Sequence, residues 1–208
     1  MRILRFLEEE TGAKWTGILF HYETRPNGNL AGRLMRLCEA ISESFAHPLI
    51  LTPEQIECPG ACRCLGMAGV NSNLLAEKIS EKIGMPPDSA LRVINDTPCL
   101  DAPITALTIG RIENPDVLVS YLRPYAAMNF IRRWQIVYGT NISIDISSLM
   151  AVCGCVAVRA YKFREVCFSF GCPDSRKYGR IKDDKLIIGM PYQLAKELFE
   201  EDYRHAYV

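Results

Sequence analysis

The chain has 208 residues, 49% hydrophobic and 23% charged, a globular balance with no compositional sign of disorder. Its 24 Lys and Arg offset 24 Asp and Glu, so no overall basic field recruits nucleic acid. No apolar run reaches membrane-spanning length, and Glu8 to Glu10 follow the start too closely for a secretory signal. A cytoplasmic protein is therefore expected.

In chain order, residues 1–11 predict a short helix with a charged face, and Lys14 to Tyr22 a strand. Pro26 and Asn27-Gly28 mark a loop. Leu30, Leu34, Leu37, Ile41 and Phe45 fall at helical spacing and predict a helix over Leu30 to Phe45, with Cys38 beside that face. "PLILT" reads as a short strand, and Thr52-Pro53 caps a single turn. "NSNLLAEKISEKIG" reads as a helix capped at Asn71 or Ser72 and ended by Gly84, Pro86 and Pro87. Ile104 to Ile112 and Asp116 to Leu122 flank "ENP" and predict a hairpin. Pro124 opens a helix that Gly139 ends, with Met128, Ile131, Trp134 or Gln135, and Tyr138 as its stripe. Ser147 or Ser148 caps a helix over "LMAVCGCVAVRAY", weakened by Gly154. "REVCFSF" predicts a strand with Cys167 on the face opposite Val166, Phe168 and Phe170. "KLIIGM" is the last strand, and Pro191 starts a final helix to His205. The order favours α/β or α+β: a single compact domain over residues 1–208, with a mixed β-sheet flanked by helices.

Nine cysteines are present: Cys38, Cys58, Cys62, Cys64, Cys99, Cys153, Cys155, Cys167 and Cys172. A reducing compartment argues against a disulfide framework and leaves metal binding, cluster binding, catalysis or burial. Two segments repeat one device, "ECPGACRCLG" from Glu57 and "GCPDSRKYG" from Gly171. Proline's fixed φ suits the first helical turn, so each cysteine is expected at a helix N-cap. The positive helix end would there stabilise a thiolate, the form that attacks electrophiles and binds metal. The competing reading is a loop in which Cys58 and Cys172 are small buried hydrophobes. Cys62 and Cys64, with the C-x-C pair Cys153 and Cys155, match neither zinc knuckles nor the bacterial ferredoxin run. Arg176, with Lys177 and Ser175, reads as an anion partner after Cys172, against a solvated face as the plain alternative. His21 and His47 are weaker site candidates, and His205 reads as a surface histidine.

The segments "FSFGCPDSRKYGRIKDDKLIIGMPYQLAKEL", "RLMRLCEAI" and "LILTPEQIECPGACRCLG" resemble the family of unknown-function domains numbered 169, uncharacterised ArCR, of archaea and anaerobic bacteria. Cys172, Pro173, Ser175, Arg176, Asp183, Asp184, Gly189 and Pro191 fit its pattern, as do Cys58, Pro59, Gly60, Ala61 and Gly66. Asp174 stands where the family usually has glycine. The resemblance covers nearly the whole chain and implies no reaction. It singles out Cys38, Cys58, Cys153 or Cys155, and Cys172 as one site, with Cys62, Cys64, Cys99 and Cys167 as extras. Four thiolates from separate elements suit an iron–sulfur cluster, or structural zinc.

The leading expectation is a metal-sulfur protein with an iron–sulfur cluster on a subset of Cys38, Cys58, Cys62, Cys64, Cys153, Cys155 and Cys172. Its role would be redox or cluster-dependent in anaerobic metabolism, with a redox or protein partner, no nucleic acid, no membrane and a homo-oligomer as an option. One alternative is a metal-free thiol enzyme or small-anion-binding protein centred on Cys172 and Arg176. The other is a structural or interaction subunit with buried cysteines.

Overall fold

The computed structural model describes residues 2–200. In chain order these form α1 (Arg2–Thr11), β1 (Trp15–His21), α2 (Leu37–Ser44), β2 (Leu49–Leu51), a 3-10 turn (Pro53–Gln55) and α3 (Pro59–Cys64). Then come α4 (Ser72–Ile83), α5 (Pro87–Asp96), β3 (Ala106–Gly110), β4 (Val117–Leu122) and α6 (Pro124–Tyr138). A π-helical turn (Cys153–Val158) leads into α7 (Arg159–Phe163), followed by β5 (Cys167–Ser169), α8 (Pro173–Tyr178), β6 (Leu186–Pro191) and α9 (Tyr192–Glu200).

The six strands make one sheet in the order β2-β3-β1-β4-β6-β5, with every pair antiparallel. Parallel pairing is confined to two isolated bridges, Leu30 with Ile50 and Met35 with Ile56. Successive strand residues point to opposite faces, and both faces are apolar. Val117 and Val119 of β4 join a buried cluster with Ile18, Leu107 and Ile187, while Leu118 and Leu122 join another with Trp15, Ile188 and Met190. The second face is covered by α1, α6 and α9, which pack on one another. The first is covered by α2, α3, the π turn and α7, with the α4–α5 pair packed outside them. The fold is mixed α/β with helices on both sides of the sheet.

Several elements depart from the sequence reading, each for a physical reason. The predicted helix over Leu30 to Phe45 forms only from Leu37. Residues 29–31 instead run along β2, where Ala31 N–H donates to Ile50 O (2.8 Å) and Ile50 N–H to Asn29 O (2.9 Å), and Met35 pairs beyond it with Gln55 and Glu57. Leu30 and Leu34 are consequently exposed. The expected β3–β4 hairpin does not form, because β1 lies between the two strands and pairs with both. The connection crosses β1 at Gly17, where an added Cβ would lie 2.6 Å from Pro115 Cβ. α5 was not anticipated: Pro87 opens it at its first position rather than ending α4 alone, and Ala90 and Ile94 bury its inner face. α6 is turned from its expected stripe and buries Ala126, Ala127 and Phe130, leaving Met128 and Tyr138 exposed. No helix forms at 149–152; Met150 there has φ +48°, and the helical path starts at Cys153. Pro191 closes β6 opposite Val117, and α9 begins at Tyr192. The end of the predicted final helix, with His205, lies outside the described residues. Asn71 and Gly84 cap α4 as expected, and Thr52 caps the 3-10 turn.

The π turn rests directly on β6. An added Cβ at Gly189 would lie 2.5 Å from Val156 Cγ1 and 3.1 Å from Val156 O. A methyl group there must push the turn off the sheet. Gly189→Ala is expected to cost about 1–3 kcal/mol, the usual scale of overpacking, read as a lower urea midpoint at unchanged slope.

Candidate functional site

Both Cys-Pro segments are corners that open helices. Cys58 has extended backbone (φ −80°, ψ 114°) at the N-cap of α3, with Pro59 in its first turn. Cys172 does the same for α8 (φ −108°, ψ 166°). Its Sγ accepts the N–H of Ser175 (3.4 Å), while Ser175 Oγ accepts the N–H of Cys172 (2.8 Å), a reciprocal capping box. Cys38 lies in the first turn of α2, and Cys153 opens the π turn. These four cysteines, from four separate segments, line one cavity of about 250 Å³. Cys153, not Cys155, is the member of that pair in the lining.

Close backbone approach holds the four together. Ser42 Oγ donates to Gly179 O (2.6 Å) and lies 3.1 Å from Cys38 O, with the buried Tyr121 hydroxyl 3.1 Å away. An added Cβ at Gly179 would meet Ser175 O at 2.6 Å and Cys38 O at 3.1 Å, so α8 ends against α2. Gly60 plays the same part for α3, since its Cβ would lie 2.8 Å from Met150 Cγ. The charged partners are Arg36 and Asp174. Arg36 Nη1 donates to Asp174 Oδ2 (2.7 Å), and its guanidinium sits 4.2 Å over the Tyr178 ring. Lys82 of α4 bonds the other oxygen of Asp174. Asp174 therefore ties α8 to both the start of α2 and to α4.

At Cys58 the electrostatics oppose the thiolate that its helix-start position would favour. At Cys58 the N–H groups of Ala61 and Gly60 and the Arg36 charge favour ionisation, but burial and the neighbouring Cys153 outweigh them. The thiol rises from its ordinary 9.0 to about 11. Cys38 is pushed up by burial and then by Cys153, Cys172 and Cys58. Cys153 is raised by its contact with Cys64, by burial and by Cys172. Desolvation beats the helix end, so these three thiols are protonated at neutral pH, and each opposes ionisation of its neighbours. A thiophilic metal would have to displace those protons on binding.

The other sequence candidates lie outside the cavity lining. Cys62 Sγ donates to Ile56 O (3.4 Å), Cys64 Sγ contacts Met150 Sδ (3.7 Å), and Cys155 Sγ lies 3.9 Å from Leu149 O. Burial lifts Cys155 to about 11 and Cys167 to about 12. Cys99 bonds the carbonyl of Thr97. Arg176 is not in the lining of this cavity: its guanidinium donates to the carbonyls of Phe170, Ile181, Lys182 and Lys185 and pins the chain around α8. His21 bonds Thr108 (2.8 Å) on the sheet, and His47 lies in the turn before β2. The cations that do line the cavity are Arg36, Lys78 and Lys82. Arg36 stands two residues before Cys38 in "RLMRLCEA", a proximity that reads from sequence alone as an ordinary solvated position. Among the described residues, no three His, Cys, Asp or Glu side chains are grouped so as to hold one metal ion.

The chain belongs to the DUF169 family, described as Uncharacterised ArCR, whose profile matches residues 8–201. It is also similar to Uncharacterized protein MJ0308 of Methanocaldococcus jannaschii, 23% identical over 174 residues, covering 79% of this chain and 75% of that protein. No solved structure matches it.

The raised thiols make stability depend on pH with a defined sign. Below pH 9.0 both folded and unfolded chains keep the Cys58 proton. Between 9.0 and about 11 the unfolded chain ionises while the folded one does not, so stability falls as pH rises. Cys155 and Cys167 act in the same direction. Urea unfolding of metal-free, reduced protein at pH 8, 9 and 10 should show a progressive loss, up to about 1.4 kcal/mol per pH unit per thiol. A flat profile contradicts the desolvation argument.

Proposed function

We propose that the chain is a metal-sulfur protein that carries an iron–sulfur cluster on Cys38, Cys58, Cys153 and Cys172, with a redox or cluster-dependent role in anaerobic metabolism. The observation that carries this reading is the convergence of four thiols from four segments on one cavity. Protein clusters are held by four cysteine thiolates, and a buried set of thiols gives up its protons when metal replaces them. The donor set fits the group. Four cysteines from separate segments match the ligand number of such a cluster, and structural zinc on the same thiols is the competing ion. When bound, such a cluster supplies one-electron transfer or an iron Lewis acid. The chain's own residues would do the rest. Leu37, Leu149, Met150 and Val152 keep water from the sulfurs, and Arg36 offsets negative charge on the thiolates. Among the described residues no helix is long and apolar enough to cross a membrane, and the reading places the protein in a reducing cytoplasm.

One observation favours the metal-free alternative. Cys172 is only partly buried, and its sulfur accepts the Ser175 N–H, an arrangement that suits a nucleophilic thiol.

Purification without oxygen separates the two. The cluster reading expects iron and acid-labile sulfide in comparable amounts and a broad visible absorption. Cys58→Ser and Cys172→Ser should each lose most of the iron, while Cys99→Ser keeps it. Protein with all thiols free and no metal sinks the cluster. Selective alkylation of Cys172 in that material then supports the thiol reading. Zinc without sulfide points to a structural ion instead.

A further inference from the structure

One wall of the cavity carries no sulfur. α4 contributes Leu75, Lys78, Ile79, Lys82 and Ile83 to the lining, positions three and four residues apart that share one helix face. Leu75 is buried, Ile79 is partly buried and Ile83 is 40% exposed, so the apolar strip runs from the interior to the surface. The charge along this wall is unequal. Arg36, Lys78 and Lys82 are in the lining against one carboxylate, Asp174. That carboxylate is shared by Arg36 and Lys82. Lys78 has no ion-pair partner among the described residues, and Arg36 Nε is buried with no hydrogen-bond partner. Apolar surface and excess positive charge therefore meet along one wall of the cavity. At about 250 Å³ the space lies just under the range of about 300–1,000 Å³ typical of drug-sized pockets, so its occupant is small.

We propose that the cavity binds a small amphipathic anion, a carboxylate or phosphate monoester with a short apolar chain. Its head is held by Arg36 and Lys78, and its body lies along Leu75, Ile79 and Ile83. This deepens the reading of the cysteines, because the anion would lie beside the same four sulfurs, but the binding itself does not require a cluster.

The test is calorimetric titration of oxygen-free, as-purified protein with hexanoate, hexyl phosphate and 1-hexanol. At least one anion should bind at a single site about tenfold or more tighter than hexanol, the scale of one charge-assisted hydrogen bond. The tighter of the two anions assigns the head group. Lys78→Gln and Ile79→Asp should each weaken the anion about tenfold with iron and sulfide content unchanged. Lys78→Gln alters only an exposed side chain, so it guards against loss of fold. Equal binding of hexanol, absence of anion binding, or binding indifferent to both substitutions overturns the proposal. Anion binding by iron-free protein removes the cluster reading and leaves this one standing; iron and sulfide without anion binding does the reverse.

Discussion

Burial of both faces of one antiparallel sheet is the constraint on which the rest depends. A strand such as β4 sends Val117 and Val119 to one side and Leu118 and Leu122 to the other, and neither set can be left in water. α1, α6 and α9 cover one side as a plain helical layer. The other side is covered by short pieces: α2, α3, the π turn and α7. Short helices have many ends, and it is at those ends that the chain places its sulfur. Cys38, Cys58, Cys153 and Cys172 belong to the fragmented layer and α8, which packs on α2.

At these positions two effects compete over each thiol. Free N–H groups at a helix start favour the thiolate, and at Cys58 the Ala61 and Gly60 N–H groups and Arg36 all act that way. Removal from water favours the thiol, and neighbouring sulfurs add to it. Desolvation wins at Cys38 and Cys58, and at Cys153 the contact with Cys64 and then burial raise the thiol. Burial and neighbouring sulfurs therefore hold Cys38, Cys58 and Cys153 toward the protonated thiol. The Asp174 carboxylate, shared by Arg36 and Lys82, braces three of the elements around it.

The local signals were readable wherever a residue's own backbone preference decided the outcome. Pro59 and Pro173 each open a helix and put Cys58 and Cys172 at the N-cap. Asn71 and Gly84 bound α4, and Cys167 faces away from Val166 and Phe168. The signals misled where a distant backbone competed. Leu30 and Leu34 have helical spacing, but β2 and the Gln55–Glu57 segment after it offered Asn29, Ala31 and Met35 hydrogen bonds that a helix would have had to match. β3 and β4 have the look of a hairpin, but β1 pairs with both. Arg176 has the charge for an anion site, but nearby carbonyls take its donors.

The sequence by itself determined the mixed α/β class, the two Cys-Pro corners and the family pattern that grouped Cys38, Cys58 and Cys172, because capping and strand alternation act over a few residues. Only the tertiary structure decided that Cys153 rather than Cys155 lines the cavity, that the nearby cations are Arg36, Lys78 and Lys82, and that burial raises the Cys58 thiol despite its place at a helix start. Those outcomes depend on burial and on distances between segments more than a hundred residues apart in sequence, such as Arg36 and Asp174. The physical reason is that neither desolvation nor a Coulomb contact is a property of a residue until the fold has placed its neighbours.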